Sequence, residues 1–272
     1  MANTVKLTRR RFLALLSAAA GGFILDAAVV EPRAFLWVNL VQVRLSSNLG
    51  FSLKIAHLSD SHFPSASTIV YGKAIEGVKG FNPDYVFFTG DLVSSKAGLK
   101  DAEEFLSSLT EAAPLYLVWG NWDHSILGTE IEETRKSIEK IDAKLLTNEA
   151  HKLEQGVWLL GVDDPYLGYD DLGKAEARAG QGIRLLLAHS PQIIGEAAGR
   201  VSLVFAGHTH GGQVRLPFIT PYVPLPPKHR KYIAGLYKVN STYMYVNQGL
   251  GTSVLPIRFN CPPELTLYKL EL

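Results

Sequence analysis

Short apolar runs alternate along most of the chain with longer segments of helical periodicity. The runs are rich in β-branched and aromatic residues, which predicts strands over residues 34–45, 55–58, 85–88, 115–119, 157–162, 183–188, 201–206, 243–246 and 265–270. Helices are predicted over residues 67–79, 101–109 and 129–141, the second with Asp101 as its N-cap. Because strands that alternate with helices need crossover connections, the pattern predicts an α/β fold whose sheet is buried on both faces. We expect the last two strands to close a second sheet.

Residues 1–32 follow a different pattern. Basic residues at 9–11 precede an apolar, small-residue run from Leu13 to Leu25, an arrangement that resembles a twin-arginine export signal. The alternative is an uncleaved membrane anchor, although the run is shorter than the ~20 residues that spanning requires and Asp26 interrupts it. We therefore expect an export signal or anchor over residues 1–32 and a catalytic domain over residues 33–272. We expect the protein to be exported to the periplasm or cell envelope. The alternative is a protein anchored on the cytoplasmic face of the membrane.

Composition narrows the chemistry. The chain has 272 residues, of which 47% are hydrophobic and 19% charged, as in a globular protein with one substantial core. A net charge of +1 gives no electrostatic signature of nucleic-acid binding. The single cysteine, Cys261, excludes an intrachain disulfide and a cysteine-based zinc site. Any metal ion must therefore be held by nitrogen and oxygen ligands.

Polar clusters follow the predicted strands at the points where the strands end. Their members are Asp60, His62, Asp91, Asn121, Asp123, His124, His189, His208 and His210. In open α/β sheets ligands bind outside the carboxyl ends of the strands, so we expect these side chains to converge. Carboxylate, imidazole and amide groups suit divalent Mn, Fe, Zn, Ni or Co. The set is large enough for two ions, and two metals about 3.5–4 Å apart are the arrangement used in phosphoester hydrolysis.

In order and spacing these clusters resemble the signature of the calcineurin-like metallophosphoesterases. The matching motifs are Asp60-x-His62, Gly90-Asp91, Gly120-Asn121, His189 and Gly207-His208-x-His210. Residues 207–213 and 247–263 resemble the exported or membrane-associated bacterial subgroup of that family. The resemblance implies a four-layer α/β/β/α sandwich and a metal-dependent phosphoester hydrolase.

The resemblance also implies a role for each residue of the motifs. It assigns the first metal to Asp60, His62 and His210, the second to Asn121, His189 and His208, and the bridging position to Asp91. The nucleophile would be a hydroxide held between the two metals.

One position departs from the family pattern. A histidine that helps to protonate the leaving group usually follows the Gly-Asn pair, whereas this chain has Trp122, then Asp123 and His124. We consider His124 as the replacement, acting beside Asn121 and oriented by Asp123. Trp122 would form an apolar wall for a substrate chain.

Other polar residues have simpler interpretations. His57 lies within a strand and is expected to be packed in the core, while His151 and His229 are expected to be solvated. Asp163 and Asp164 are interpreted as turn formers. The basic run at residues 228–231 follows a Pro-rich loop at 217–227, and either is solvated or contacts substrate phosphates or anionic lipid.

Together these features predict hydrolysis of a phosphodiester or pyrophosphate in a phosphorylated small molecule, lipid or nucleotide-lipid. Expected partners are that substrate, the membrane surface and the twin-arginine export machinery, with no nucleic acid. The alternatives are a phosphomonoesterase and a non-catalytic relative that binds metal or ligand.

Overall fold

Two six-stranded sheets form the centre of the molecule in a computed structural model that describes residues 8–45, 47, 49–65, 67–216 and 231–272. The first sheet has the strand order β1 (Trp37–Arg44), β12 (Glu264–Glu271), β2 (Ser52–Leu58), β3 (Tyr85–Thr89), β4 (Leu115–Val118), β5 (Ala143–Leu145). The second has the order β10 (Gly235–Val239), β11 (Thr242–Val246), β9 (Leu203–Ala206), β8 (Ile183–Leu187), β7 (Val157–Gly161), β6 (Glu149–Glu154). The predicted α/β class is therefore confirmed.

The α-helices pack mostly on the outer faces of the sheets, but the first has no buried residue. They are α1 (Arg9–Leu25), α2 (Glu31–Ala34), α3 (Thr68–Phe81), α4 (Leu99–Thr110), α5 (Asn121–Leu127), α6 (Ile131–Glu139), α7 (Leu172–Glu176) and α8 (Ile194–Ala197). Short 3₁₀ turns cover Lys96–Gly98, Gly128–Glu130, Pro191–Ile193 and His210–Gly212.

Alternation along the strands produces the layers. On β3, Val86 and Phe88 pack with α3 and α4, whereas Phe87 between them packs into the space between the sheets. On β8, Leu185 meets Phe87 in that same space, and Leu186 packs on α7 and α8. Because both faces of these strands are buried, their sequence is continuously apolar, as in parallel sheets covered on both sides. The result is the predicted four-layer α/β/β/α sandwich.

Two predictions about individual elements are wrong. β12 lies in the first sheet, antiparallel to β2 and parallel to β1, so residues 265–270 do not close the second sheet, although residues 243–246 do join it. Asp101 lies in the first turn of α4 and is not its N-cap, because the chain enters that helix through the 3₁₀ turn Lys96–Gly98. By contrast, Ser67 caps α3 through its hydroxyl, which accepts a hydrogen bond from the Ile69 N–H.

The N-terminal segment is helical and extends beyond the apolar run at residues 13–25. Asp26 does not end it, because a π-helical turn over Asp26–Val30 joins α1 to α2 and makes one helical segment, Arg9–Ala34. By length and composition this segment could cross a membrane, and a signal sequence would have the same features. Its far end is part of the folded domain, since Ala27, Glu31 and Pro32 are buried. The boundary at residues 32 and 33 stays a prediction.

The Pro-rich loop at residues 217–227 and His229 lie outside the described residues, as does the basic run apart from Lys231.

Candidate metal centre

The predicted site residues follow the carboxyl ends of parallel strands in both sheets. Asp60 and His62 come after β2, Asp91 after β3, Asn121 after β4, His189 after β8, and His208 and His210 after β9. The structure brings six of the seven side chains together in two groups that share one residue, and it places the seventh, Asn121, beside the second group.

The first group consists of Asp60, His62, Asp91 and His210, whose candidate ligand atoms all lie within 4.8 Å of one another. His62 Nε2 is 3.4 Å from Asp91 Oδ2, and His210 Nε2 is 3.4 Å from Asp60 Oδ1. The Nε2 atoms of the two histidines are 3.0 Å apart. All four residues are buried, so bulk water has little access to their ligand atoms.

The second group consists of Asp91, His189 and His208. His189 Nε2 lies 3.3 Å from Asp91 Oδ2 and 3.1 Å from His208 Nδ1. Asn121 adds its Oδ1 atom 3.2 Å from His189 Nε2. Asp91 Oδ2 therefore faces both groups.

The backbone is strained where it carries these side chains. Five of the seven residues have a left-handed backbone, with φ of 52° at Asp60, 51° at His62, 55° at Asp91, 72° at His208 and 50° at His210. This conformation costs about 1–2 kcal/mol for a residue that carries a side chain. Such strain persists where the surrounding structure enforces it, and it clusters at functional sites.

Two glycines of the motifs leave room for the carboxylates. A Cβ atom on Gly120 would lie 2.3 Å from Asp91 Oδ1, and one on Gly207 would lie 2.3 Å from Asp60 Oδ2. Each distance is far inside van der Waals contact. Any larger residue at either position would displace an acidic side chain of the site.

Burial controls the protonation of the first group. Desolvation is the largest influence, and it lowers the pKa of His62 to about 4 and that of His210 well below its usual value. The same desolvation raises the pKa of Asp60 to about 7. The imidazoles are therefore neutral at pH 7 and retain a lone pair that a cation can bind.

Charge pairing controls the second group. Burial would raise the pKa of Asp91, but the neighbouring His189 and His62 bring it below its usual value. Burial would lower the pKa of His189, but Asp91 raises it well above the usual value. His189 Nδ1 donates to the Thr89 carbonyl at 2.7 Å, which fixes the ring and turns its Nε2 atom towards Asp91.

The donor set fits divalent metal ions. Imidazole nitrogens and carboxylate oxygens converge in both groups, and an amide oxygen joins the second. This combination suits borderline divalent ions such as Mn, Fe, Zn, Ni and Co.

A cavity of about 460 Å³ opens above the two groups. Asp91, Asn121, His208 and His210 reach it from the metal centre. Its wall includes the largely apolar side chains of Trp122, Tyr166, Val214, Val254, Leu255 and Ile257. The site therefore combines a polar base with an apolar wall.

Trp122 and Tyr166 make ring contacts with the centre. Trp122 meets the ring of His62 edge to face at 5.4 Å between centroids, which agrees with its prediction as an apolar wall. Tyr166 lies 4.7 Å from the ring of His208. The sequence analysis missed Tyr166, although its position just after β7 is a strand-end position like those of the other site residues.

The predicted orientation of His124 by Asp123 is wrong. The Asp123 carboxylate accepts hydrogen bonds from the backbone N–H groups of Gly120 at 3.0 Å and Leu92 at 2.8 Å, and so braces the loops that carry Asp91 and Asn121. His124 Nε2 instead lies 2.6 Å from Asp163 Oδ1. Among the described residues that line the cavity, His124 is not included. Its predicted role as the general acid stays a prediction.

The remaining polar residues mostly match their simple interpretations. His57 is buried between the sheets, with its ring nitrogens 3.2 Å from the Tyr268 hydroxyl and 2.9 Å from the Thr89 hydroxyl. Asp164 forms a turn by accepting from the Leu167 N–H. His151 differs from the expectation, because it is half-buried against the ring of Tyr116.

Comparison with known proteins agrees with the geometry of the site. The calcineurin-like phosphoesterase family matches residues 53–212, which contain all seven predicted ligands. The chain is 30% identical to the uncharacterized metallophosphoesterase YkuE of Bacillus subtilis over 285 residues, covering 98% of each chain. It is 30% identical to the phosphodiesterase YaeI of Escherichia coli over 284 residues, covering 97% of this chain and 99% of that one.

Nearly the whole of this chain also matches part of a vertebrate protein. This is the bovine transmembrane protein with metallophosphoesterase domain, which is 29% identical over 293 residues, covering 99% of this chain and 64% of the bovine one. The family match spans more than half of the chain, and two bacterial relatives extend along nearly all of it. The chain therefore belongs to the calcineurin-like phosphoesterases, hydrolases that act on phosphoester bonds.

Proposed function

We propose that the chain is a binuclear metal-dependent phosphodiesterase or pyrophosphatase whose substrate carries an apolar group. The observation that carries this proposal is the position of Asp91, whose Oδ2 atom lies 3.4 Å from a histidine of one ligand group and 3.3 Å from a histidine of the other. A carboxylate that faces two clusters of ligands supports two ions held side by side.

The ligand assignment follows the two groups. One ion would be held by Asp60, His62 and His210, the other by Asn121, His189 and His208, with Asp91 between them. When bound, two divalent ions would neutralise charge on the phosphoryl oxygens and supply a nucleophilic hydroxide at neutral pH.

Neighbouring groups hold the acidic residues in place. The backbone N–H of Trp122 donates to Asp91 Oδ1 at 2.8 Å, which leaves Oδ2 directed at both groups. The backbone N–H of His208 donates to Asp60 Oδ2 at 2.9 Å, and the Ser59 hydroxyl donates to the same oxygen. The chain therefore fixes the ligand positions before substrate arrives, so that little reorganisation is needed during reaction.

The cavity supports a substrate with two chemical halves. Its base is formed by polar residues of the metal centre, where a phosphoryl group would bind, and its wall contains Trp122 and Leu255. Pockets with an apolar lining and a few convergent polar groups recognise ligands of matching polarity. A phosphorylated lipid or nucleotide-lipid has this division, and the similarity to the phosphodiesterase YaeI supports a diester.

The N-terminal helix supports a location at the cell envelope. The proposed roles of residues 1–32 are a twin-arginine signal read by the export machinery or a membrane anchor, with residues 33–272 as the catalytic domain. The helical segment Arg9–Ala34 is long and apolar enough to cross a membrane. Bovine and zebrafish relatives are named as transmembrane proteins, which agrees with a membrane-associated protein.

Hydrolysis of bis-p-nitrophenyl phosphate with added Mn²⁺ tests the proposal. We expect turnover that a chelator abolishes and that Asp91→Asn lowers at least about 100-fold, since changes even beyond the direct ligands cost 10–100-fold in metal sites. Asp142→Asn is the matched control, because Asp142 is exposed and its left-handed φ of 59° suits asparagine.

Three outcomes would contradict the proposal. Equal turnover by Asp91→Asn and wild type would remove Asp91 from the centre. Faster hydrolysis of p-nitrophenyl phosphate than of the diester would assign the chain to the monoesterases. Metal binding without any turnover would favour a binding protein, a reading that the tryptophan at the position of the family histidine supports.

A further inference from the structure

Helix α1 presents apolar side chains in every direction. All of its residues are exposed, including Leu15 at 61% and Ile24 at 63%. A helix that is apolar all round is stable in a protein core or in a membrane, and the domain supplies no core around this one among the described residues. The whole segment Arg9–Ala34 is long enough to enter a bilayer.

The far end of this helical segment is fastened to the catalytic domain. The ring of Phe23 contacts that of Phe259 at 4.4 Å, and the Ala27 carbonyl accepts from the Arg258 N–H at 2.8 Å. The buried Glu31 carboxylate accepts from the Asn260 N–H at 2.7 Å. These contacts fix the orientation of the domain with respect to any membrane that holds α1.

The segment that receives the helix continues directly into the rim of the cavity. Val254 and Leu255 precede Phe259 by a few residues, a separation that reaches at most about 18 Å even in extended chain. Both line the cavity, and they are 71% and 57% exposed. Val254 also has a left-handed φ of 62°, which is costly for a β-branched residue. An exposed apolar residue in a strained conformation marks a candidate functional surface.

We infer that α1 and the rim residues Val254 and Leu255 form a single membrane-binding face. The cavity opens onto the bilayer, and the apolar part of a membrane lipid extends past these two residues while its phosphoryl group reaches the metal centre. Phe35 and Trp37 follow the helical segment and are exposed, as aromatic residues often are at membrane interfaces. This inference rests on the proposed function, and it identifies the substrate class as a lipid taken directly from a membrane.

Contact quenching in lipid nanodiscs tests the inference. The full-length chain, its mass verified, carries Val254→Cys labelled with bimane, and the nanodisc lipids have brominated acyl chains. The native Cys261 is fully buried, so only the introduced thiol reacts. Lys152→Cys is the matched control, because Lys152 is exposed on β6, an edge strand of the second sheet, and does not line the cavity. Leu255→Cys provides a second rim position if Val254→Cys does not fold.

The rim label is expected to lose fluorescence at least about twofold relative to unbrominated nanodiscs, because interfacial apolar groups enter about 5–10 Å into the lipid boundary. The label at residue 152 should not change. Equal fluorescence at the rim in brominated and unbrominated nanodiscs would overturn the inference. Turnover of soluble bis-p-nitrophenyl phosphate by the unlabelled protein is measured separately. If the rim label is not quenched but turnover is retained, the membrane-binding face is refuted and the proposed function is not.

Discussion

His62 and His210 face each other across the centre of the site, with their Nε2 atoms 3.0 Å apart. Desolvation keeps both rings neutral by lowering their pKa values, so the pair can share at most one proton between the two nitrogens. The carboxylates of Asp60 and Asp91 lie beside the pair. A divalent ion placed among them would bind lone pairs that otherwise oppose one another, so the geometry of the pair favours metal binding.

Metal binding should stabilise the fold through this pair. Mn²⁺ at about 100 times its Kd adds about 2.7 kcal/mol to the free energy of unfolding, which corresponds to a rise in Tm of about 5–10 °C for a chain of this size. His210→Ala should remove most of the rise, and the control His151→Ala should retain it. Thermal unfolding of chelator-treated protein with and without MnCl₂ measures the effect. An undiminished rise in His210→Ala would exclude His210 as a ligand.

His124 can be tested through the leaving group. If His124 protonates the departing oxygen, His124→Ala should slow diesters with basic leaving groups much more than bis-p-nitrophenyl phosphate, whose leaving group needs little protonation. The kcat values of a series of aryl diesters, plotted against leaving-group pKa, give the comparison. Parallel plots for variant and wild type would show that His124 only supports the structure.

Asp163, the hydrogen-bond partner of His124, should influence how activity depends on pH. Burial lowers the pKa of His124, but the hydrogen bond and charge of Asp163 outweigh it and leave the pKa above its usual value. A general acid acts only while protonated, so a raised pKa extends activity to higher pH. Asp163→Asn should therefore move the alkaline limb of the kcat profile to lower pH. An unmoved limb would separate Asp163 from catalysis.

Trp122 should determine the affinity for an apolar substrate chain. Trp122→Ala removes a large part of the cavity wall, and the loss of about 1–2 kcal/mol of apolar contact corresponds to an increase in KM of roughly 5–30-fold. The increase should be much smaller for a short-chain diester with the same leaving group. Steady-state kinetics with both substrates measures the difference. Equal increases would place Trp122 at the phosphoryl end of the substrate.

Local features of this site could be predicted from the sequence. Each ligand motif follows its own strand, and glycines such as Gly120 and Gly207 indicate a close approach of the backbone to the site. The burial of the strands on both faces was also predictable, because such strands have continuously apolar sequences, whereas the four layers were expected only from the resemblance to the family. These features depend on a few neighbouring residues, so periodicity and spacing are sufficient to find them.

Non-local pairings could not be predicted in the same way. β12 pairs with β2 in the first sheet, where Thr266 lies opposite His57, a residue far away in the chain. The apolar run of β12 does not specify which strand it will pair with. Asp163 was interpreted only as a turn former, yet it is the partner of His124 from another strand end. The helical segment that continues through Asp26 also has a non-local partner, because the Ala27 carbonyl accepts a hydrogen bond from the backbone N–H of Arg258, near the other end of the sequence.

His57 should make stability depend on pH. Burial lowers its pKa to about 3 in the folded protein, below the usual value near 6.5, so the unfolded chain binds more protons between these two values. Stability therefore falls as pH drops below about 6.5, by up to about 1.4 kcal/mol per pH unit from this group. His57→Gln should reduce the loss in unfolding free energy between pH 7 and pH 5 by about 2 kcal/mol. Urea denaturation at both pH values measures it, and an equal loss in variant and wild type would contradict the assignment.

We propose that two ions bind at Asp91. Metal-free, full-length protein is titrated with Mn²⁺, and bound metal per chain and turnover of bis-p-nitrophenyl phosphate are measured on the same samples. We expect turnover to rise with metal content and to reach its plateau at two ions per chain. Full turnover without metal, or a plateau at a single ion, would show that the active protein does not need two ions.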